Sequence, residues 1–432
     1  MRGTRNIKRT LERLLNLLVE RKTNVSHRPG ERLLGGLAVD GPFSTASRKS
    51  PAYAVAALYT SGALWNICMG MLQVLVPLYA LSLGFSIIKI SSLVSLPVLV
   101  ELVVRFGGSA VSDRFGERRV LQICFLLMAL SGATLLAADR YIHLALAQAL
   151  AFCSRSTFWT SIQSLGSQLP GSDLGKKLGR LYAWNSGGGV IGLSAGGAVL
   201  ALLGFEKAFM LLTAAAIFCV ILSLLLPRIE PKPSGRTLWQ VTTGIGRFLG
   251  YRHIWLGISV SFAAALPSTL GQALYPLYLA FLGYEEQWIG LLVSLRVFGP
   301  LVIGLMLGSL ITISRQRGIY ALGMAGLGLF LIATGLAEKP WSLAIVIAAL
   351  GAAGGFMDLL YQVQASEFSR AGDRSVAMAS AGLGWILCPL ISPMIVGWLA
   401  QAHGFQIAFL AAGLFFLLIA AGTRLWHRLL AP

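Results

Sequence analysis

From Pro51 onward the chain alternates long apolar segments with short polar turns. Twelve of these segments have the length of a membrane-crossing helix, which needs ~17–25 residues to traverse a hydrocarbon core of ~30 Å. They run over 54–82, 87–112, 120–137, 142–167, 179–203 and 207–226. After a break they continue over 254–282, 287–311, 319–336, 341–364, 376–400 and 406–425. The pattern predicts an all-α membrane protein of 12 transmembrane helices.

The break itself organises the chain. Pro227-Arg-Ile-Glu-Pro-Lys-Pro-Ser-Gly-Arg236, continuing to Arg252, is rich in Pro and Gly and basic, and it parts six segments from six. The halves repeat each other. Gln73-x-x-x-Pro77-Leu-Tyr79-x-x-x-Leu-Gly84 returns 199 positions later as Gln272-x-x-x-Pro276-Leu-Tyr278-x-x-x-Leu-Gly283. Gly204-Phe205-x-x-Ala208-Phe209 returns after 200 positions as Gly404-Phe405-x-x-Ala408-Phe409. Two anchors at nearly one offset predict a duplicated six-helix unit. The expected organisation is a basic tail over 1–50, a six-helix bundle over 51–226, a linker over 227–252, a second bundle over 253–425 and a short tail over 426–432.

Composition agrees with this pattern. Hydrophobic residues are 56% of the chain and charged residues 12%, with a mean hydropathy of +0.73; a soluble domain carries about 25% charged residues. The net charge of +18 does not indicate nucleic acid, because the cations are spread over short loops and not gathered on one domain face. Of the 35 Lys and Arg, 28 fall in the first 50 residues, in the even-numbered loops and at the C-terminus. Only Lys89, Arg140, Lys207 and Lys339 occupy the opposite side. Basic loops stay inside, so both termini are expected to be cytoplasmic, and the expected location is a bacterial inner membrane.

Cys68, Cys124, Cys153, Cys219 and Cys388 all fall within spans, an odd set with no metal-ligand spacing. In the tail, Ile7, Leu11, Leu14, Leu15 and Leu18 share one helical face with cations on the other. An interfacial helix and a cytoplasmic tail without fixed structure are both open there. Glu12, Glu20 and Glu31 count against a transit peptide.

The turn Ser109-Ala-Val-Ser-Asp113-Arg114-Phe-Gly116-Glu117-Arg118-Arg119 resembles the loop between helices 2 and 3 of the major facilitator superfamily, G-x-x-x-D-R-x-G-R-R. Asp113, Arg114, Gly116, Arg118 and Arg119 match; Ser109 and Glu117 depart. The resemblance spans about residues 52–425 and implies the superfamily's fold of two pseudo-symmetric bundles. It also implies a conformational latch made by Asp113, Arg114, Gly116 and Arg118 against the start of span 11. Gly116 itself points to a tight turn. In the second half Thr312 stands where the acid would be, which predicts an asymmetric latch. Gly188-x-x-x-Gly192-Leu193-x-x-Gly196-Gly197 is similar to the antiporters' helix-5 motif, with Leu193 in place of proline; close helix packing is its first reading.

Ionisable residues inside a membrane are costly enough to nominate a site. Glu101, Arg155, Arg296 and Asp358 lie near mid-span. Glu101 and Asp358 are the candidates for proton coupling, and Arg105 is one turn from Glu101. In the superfamily helices 1, 4, 7 and 10 line the central path. The resemblance therefore nominates Asn66, Gln73, Arg155, Trp159, Gln163, Gln272, Tyr275 and Gln362 as substrate-binding residues, with Trp184, Asn185, Arg296 and Trp385 from flanking helices.

The two arginines would clamp an anionic group, unless they neutralise Glu101 or Asp358. Pro77, Pro97, Pro276, Pro300, Pro389 and Pro393 are expected to kink or loosen their helices. The expected function is secondary transport of a small organic anion or drug-like molecule by alternating access, with efflux and proton coupling as candidate features. The expected partners are that solute, the lipid bilayer and protons, for a monomer without cofactor or metal. No nucleophile motif, His cluster or phosphate loop suggests an enzyme. The alternative is a non-transporting sensor or assembly factor that docks through its tail.

Overall fold

The computed structural model describes residues 52–104, 116–168, 174–227, 250–300, 316–367, 380–423 and 425. The expected tail helix, Arg105, Asp113, Arg114 and Thr312 lie outside these residues. The described residues are helical, with no strand among them. Residues 49–432 form one compact unit.

In chain order the helices are α1 (Ala52–Ser82), α2 (Ile87–Val104), α3 (Glu117–Leu136), α4 (Tyr141–Ser167), then Leu174–Ser223, which Gly204 divides into α5 (174–203) and α6 (205–223). The second half follows with α7 (Arg252–Phe281), α8 (Glu286–Ser294, continued by a 3₁₀ turn over Leu295–Val297), α9 (Gln316–Leu336), α10 (Pro340–Glu367), α11 (Gly384–His403) and α12 (Phe405–Ala421). Eight helical stretches among the described residues are long and apolar enough to cross a membrane, one of them running through both α5 and α6, and Phe405–Ala421 is a shorter apolar helix.

The duplication read from sequence is visible in the backbone. Gly84 and Gly283 close the turns after α1 and α7 with φ of 76° and 82°, and Gly204 and Gly404 break the chain before α6 and α12 with φ of 76° and 87°. A side chain at such angles would clash with its own backbone, so the repeated glycines mark the repeated turns. These turns gather at one end of the bundle. Tyr79 Oη donates to Ala138 O (2.7 Å), Tyr284 Oη to Glu338 O (2.5 Å), and Ile88 N to Gln401 Oε1 (3.1 Å). We refer to this as the turn end.

The halves close on each other there through two crossings related by the repeat. A Cβ on Gly197 of α5 would lie 2.1 Å from Glu286 O of α8, and one on Gly290 2.6 Å from Leu193 O. A Cβ on Gly397 of α11 would lie 2.2 Å from Ser91 Oγ of α2. Gly197 and Gly397 are 200 positions apart, Ser91 and Gly290 199. The same contact is thus made twice, between α5 and α8 and between α11 and α2.

The Gly-rich motif of α5 works mainly inside the first half. Added Cβ atoms on Gly188 and Gly192 would meet the carbonyl oxygens of Ala63 and Ile67 at 2.2 Å each, so α1 and α5 touch backbone to backbone. Gly192→Val is expected to cost roughly 1–3 kcal/mol, the usual penalty of overpacking. The control is Gly187→Ala, where a Cβ meets nothing within 4 Å. Thermal unfolding in detergent should show a lower midpoint for the first and none for the second.

The prolines act unequally. At Leu96, before Pro97, α2 loosens into a turn with Leu99 N bonding Leu96 O (3.0 Å). The repeat-related position in α8 is the 3₁₀ turn Leu295–Val297. There Pro300 lacks the N–H that would serve the carbonyl of Arg296. Pro77, Pro276, Pro389 and Pro393 instead sit within helices that run through them.

Candidate functional site

The polar surface of α4 divides between core and centre. Ser154 Oγ accepts from Trp65 Nε1 (2.9 Å) and donates to Cys124 O (2.7 Å), under a Trp65–Phe158 stack with centroids 3.7 Å apart. Arg155 and Trp159 lie elsewhere on the helix. Arg155 Nη2 meets Glu101 Oε2 at 2.5 Å, forming an ion pair between α4 and α2. Its Nη1 donates to Gln272 Oε1 of α7 at 3.0 Å, across the two halves, and the guanidinium lies 4.0 Å from the centroid of Phe152. Of the alternatives open for Arg155, the geometry selects neutralisation by Glu101.

Arg296 is built differently. The 3₁₀ turn of α8 nests on the glycine face of α10, where a Cβ on Gly351 would lie 2.0 Å from Arg296 O. From there the guanidinium crosses over Gly271 of α7, whose absent Cβ would sit 1.8 Å from Nη1. Nη1 donates to Ser268 O (2.7 Å) and Pro267 O (3.3 Å), and Nη2 donates to Gln73 Oε1 of the first half. All these acceptors are neutral. Arg296 is 6% exposed, forms no ion pair among the described residues, and its Nε has no hydrogen-bond partner. A buried cation with no counter-charge is costly, and here it faces open space.

That space is a pair of cavities with Tyr182, Arg296 and Val297 in common. One, of about 210 Å³, reaches Asn66, Gln73, Trp159 and Asn185. The other, of about 200 Å³, reaches Ser268, Asp358 and Trp385. Asp358 accepts from Gln362 Nε2 at 2.8 Å and forms no ion pair among the described residues. One unpaired cation and one unpaired carboxyl therefore line the same cavity.

The other nominated residues are distributed as follows. Asn66 lines the first cavity while tying α1 to α5 through Asn185 (3.2 Å). Gln163 and Gln362 are exposed, and Gln272 is buried beneath Arg155. Tyr275 is fully buried inside the second half, stacked on Phe409 and 3.3 Å from Thr334 Oγ1. Trp184 turns away from the centre into a groove between α1 and α5, since positions 182, 185, 186 and 189 form the inner face of α5. Tyr182 and Ser186 were missed. Their only signal was that face, displaced from the conspicuous Trp184.

Of the four expected latch residues, Gly116 and Arg118 are described. Gly116 has φ 79° before α3. Arg118 Nη2 donates to Leu224 O at 2.6 Å, beside the end of α6, where a cation complements the helix dipole. Glu117, the departure from the motif, accepts from Ser164 Oγ (2.7 Å) and Gln168 Nε2 (3.3 Å), joining α3 to the end of α4.

The sequence model of the Major Facilitator Superfamily matches residues 58–288 and 258–431. No curated protein sequence matches the chain. Among solved structures, that of the nucleoside transporter NupG is similar with a TM-score of 0.74 at 15% identity, covering 87% of this chain and 99% of that one. A bacterial homologue of the human lysosomal transporter Spinster, inward-facing and unoccupied, gives 0.69 at 16%, covering 89% and 98%. A POT family transporter in complex with 5-aminolevulinic acid gives 0.68 at 12%, covering 88% and 96%. At these identities the likeness is one of fold.

Proposed function

The chain belongs to the major facilitator superfamily, and we propose that within it this protein is a secondary transporter of a small organic anion, coupled to protons. The carrying observation is Arg296: central, buried, without a counter-charge among the described residues, and lining both cavities. Arg155 is already neutralised by Glu101. The anchor is therefore one arginine, not a clamp of two, and Trp159, Tyr182 and Trp385 supply flat apolar walls for the organic body of the solute.

Asp358 supplies the proton site. Its carboxyl shares a cavity with Arg296 and forms no ion pair among the described residues. Anion on Arg296 and proton on Asp358 make a neutral load, which lowers the cost of moving charge through a low-dielectric interior. With the basic loops cytoplasmic, the closed turn end is the outer one. Alternating access then moves 51–226 against 253–425.

The experiment is transport in proteoliposomes with an imposed pH gradient. The wild type should accumulate or expel anions according to the sign of the gradient. Asp358→Asn should retain anion exchange at equal pH while losing the response to the gradient. A gradient response that survives Asp358→Asn contradicts the proton assignment.

A further inference from the structure

Gln73 and Gln272 occupy the same place in the duplicated motif, 199 positions apart. Each accepts a hydrogen bond from an arginine of the opposite half, Gln73 from Arg296 and Gln272 from Arg155. The two donors are unrelated by the repeat, so the arrangement is one glutamine role filled twice from different sides. Both bonds cross between the halves, and both must break or turn if the turn end is to open by parting the crossings at Gly197–Gly290 and Ser91–Gly397.

The ties differ in one respect. The guanidinium on Gln272 is also paired with Glu101, so an incoming anion finds its charge already balanced. The guanidinium on Gln73 has only neutral acceptors among the described residues. A carboxylate or phosphate oxygen makes a charge-assisted bond to an arginine roughly twice as strong as a neutral acceptor does. It would therefore displace the Gln73 carboxamide and leave the Gln272 tie untouched.

We propose that Gln73 is a built-in stand-in for the anion: it occupies the acceptor position on Arg296 in the empty state, and its displacement by substrate releases one of two cross-half ties. This rests on the anion reading of Arg296. Gln73 is then a positioning residue that converts occupancy into freedom of the two halves, while Gln272 on Arg155 remains a pivot. Binding that favours one state in this way shifts the population by its differential affinity.

The test uses hydrogen–deuterium exchange of the purified full-length protein, reading the peptides over 87–94 and 286–293 at the turn end. Gln73→Leu removes the acceptor and should raise exchange in both peptides severalfold. Gln73→Glu replaces a neutral tie by an ion pair and should lower exchange below the wild type while depressing anion uptake. Opposite shifts from the two variants support the stand-in, because damage to packing would move both in the same direction. Equal shifts, or none, overturn it. The anion reading fails separately, by uptake that survives Arg296→Gln, and the exchange measurement does not depend on that result.

Discussion

Arg296→Gln is expected to reduce anion affinity ~30-fold or more, because truncating one partner of a buried, hydrogen-bonded charge pair costs about 2–5 kcal/mol. The substitution keeps a polar side chain of similar reach and removes only the cation and its fork. Arg296→Lys should recover little. A lysine ammonium carries the charge but cannot span Ser268 O, Pro267 O and Gln73 Oε1 as the planar guanidinium does. Uptake of a radiolabelled organic anion by proteoliposomes, with protein insertion checked in each preparation, measures the effect. Wild-type uptake in Arg296→Gln would remove the anchor from the account.

The second large effect concerns stability. Glu101 is 6% exposed and its Oε2 lies 2.5 Å from Arg155 Nη2. Glu101→Gln leaves the guanidinium without its counter-charge, and breaking a buried pair from one side typically costs about 3–5 kcal/mol. Arg155→Gln leaves the carboxylate alone and should cost a similar amount. The double variant Glu101→Gln with Arg155→Gln removes both charges and should recover most of the loss, since a buried pair as a whole adds little net stability. Thermal unfolding of the three proteins in one detergent checks this. Additive losses in the double variant would contradict the pairing.

Much of the fold was legible because a membrane helix has to announce itself. Apolar runs of bilayer length and glycine turns at repeat-related positions leave few arrangements, and α4, expected over 142–167, is found over Tyr141–Ser167. Where polar groups pointed was less legible. Ser154 and Arg155 are neighbours in sequence, yet Ser154 bonds Trp65 and Cys124 in the core while Arg155 reaches Glu101 and Gln272. The resemblance nominates Trp184 by its helix, whereas Tyr182 and Ser186 are the α5 residues that reach the central cavity and Trp184 lines a groove against α1. A helical span fixes depth and leaves rotation about its axis to packing, here to the glycines that press α5 on α1.

The partner of each charge was the least legible property. Glu101 had Arg105 one turn away, and the two mid-depth arginines looked equivalent as anion ligands. Tertiary contact separates them: Arg155 meets Glu101, 54 residues distant, and Arg296 meets carbonyls and a glutamine 223 residues distant. No spacing along one helix encodes such pairings. Glu117 shows the converse, a departure from the motif that acquires its own partners in Ser164 and Gln168.

Among the described residues Arg296 has no ion-pair partner, whereas Arg155 is paired with Glu101. Trp159 and Trp385 line the two cavities on either side of Arg296, so their fluorescence reports occupancy without any label. The direct measurement titrates the purified protein with organic anions and follows tryptophan quenching in the wild type, in Arg296→Gln and in the Glu101→Gln, Arg155→Gln double variant. An anchor at Arg296 implies saturable quenching in the wild type, its loss in Arg296→Gln and its retention in the double variant. Quenching that persists without Arg296, or that disappears with the Glu101–Arg155 pair, would contradict it.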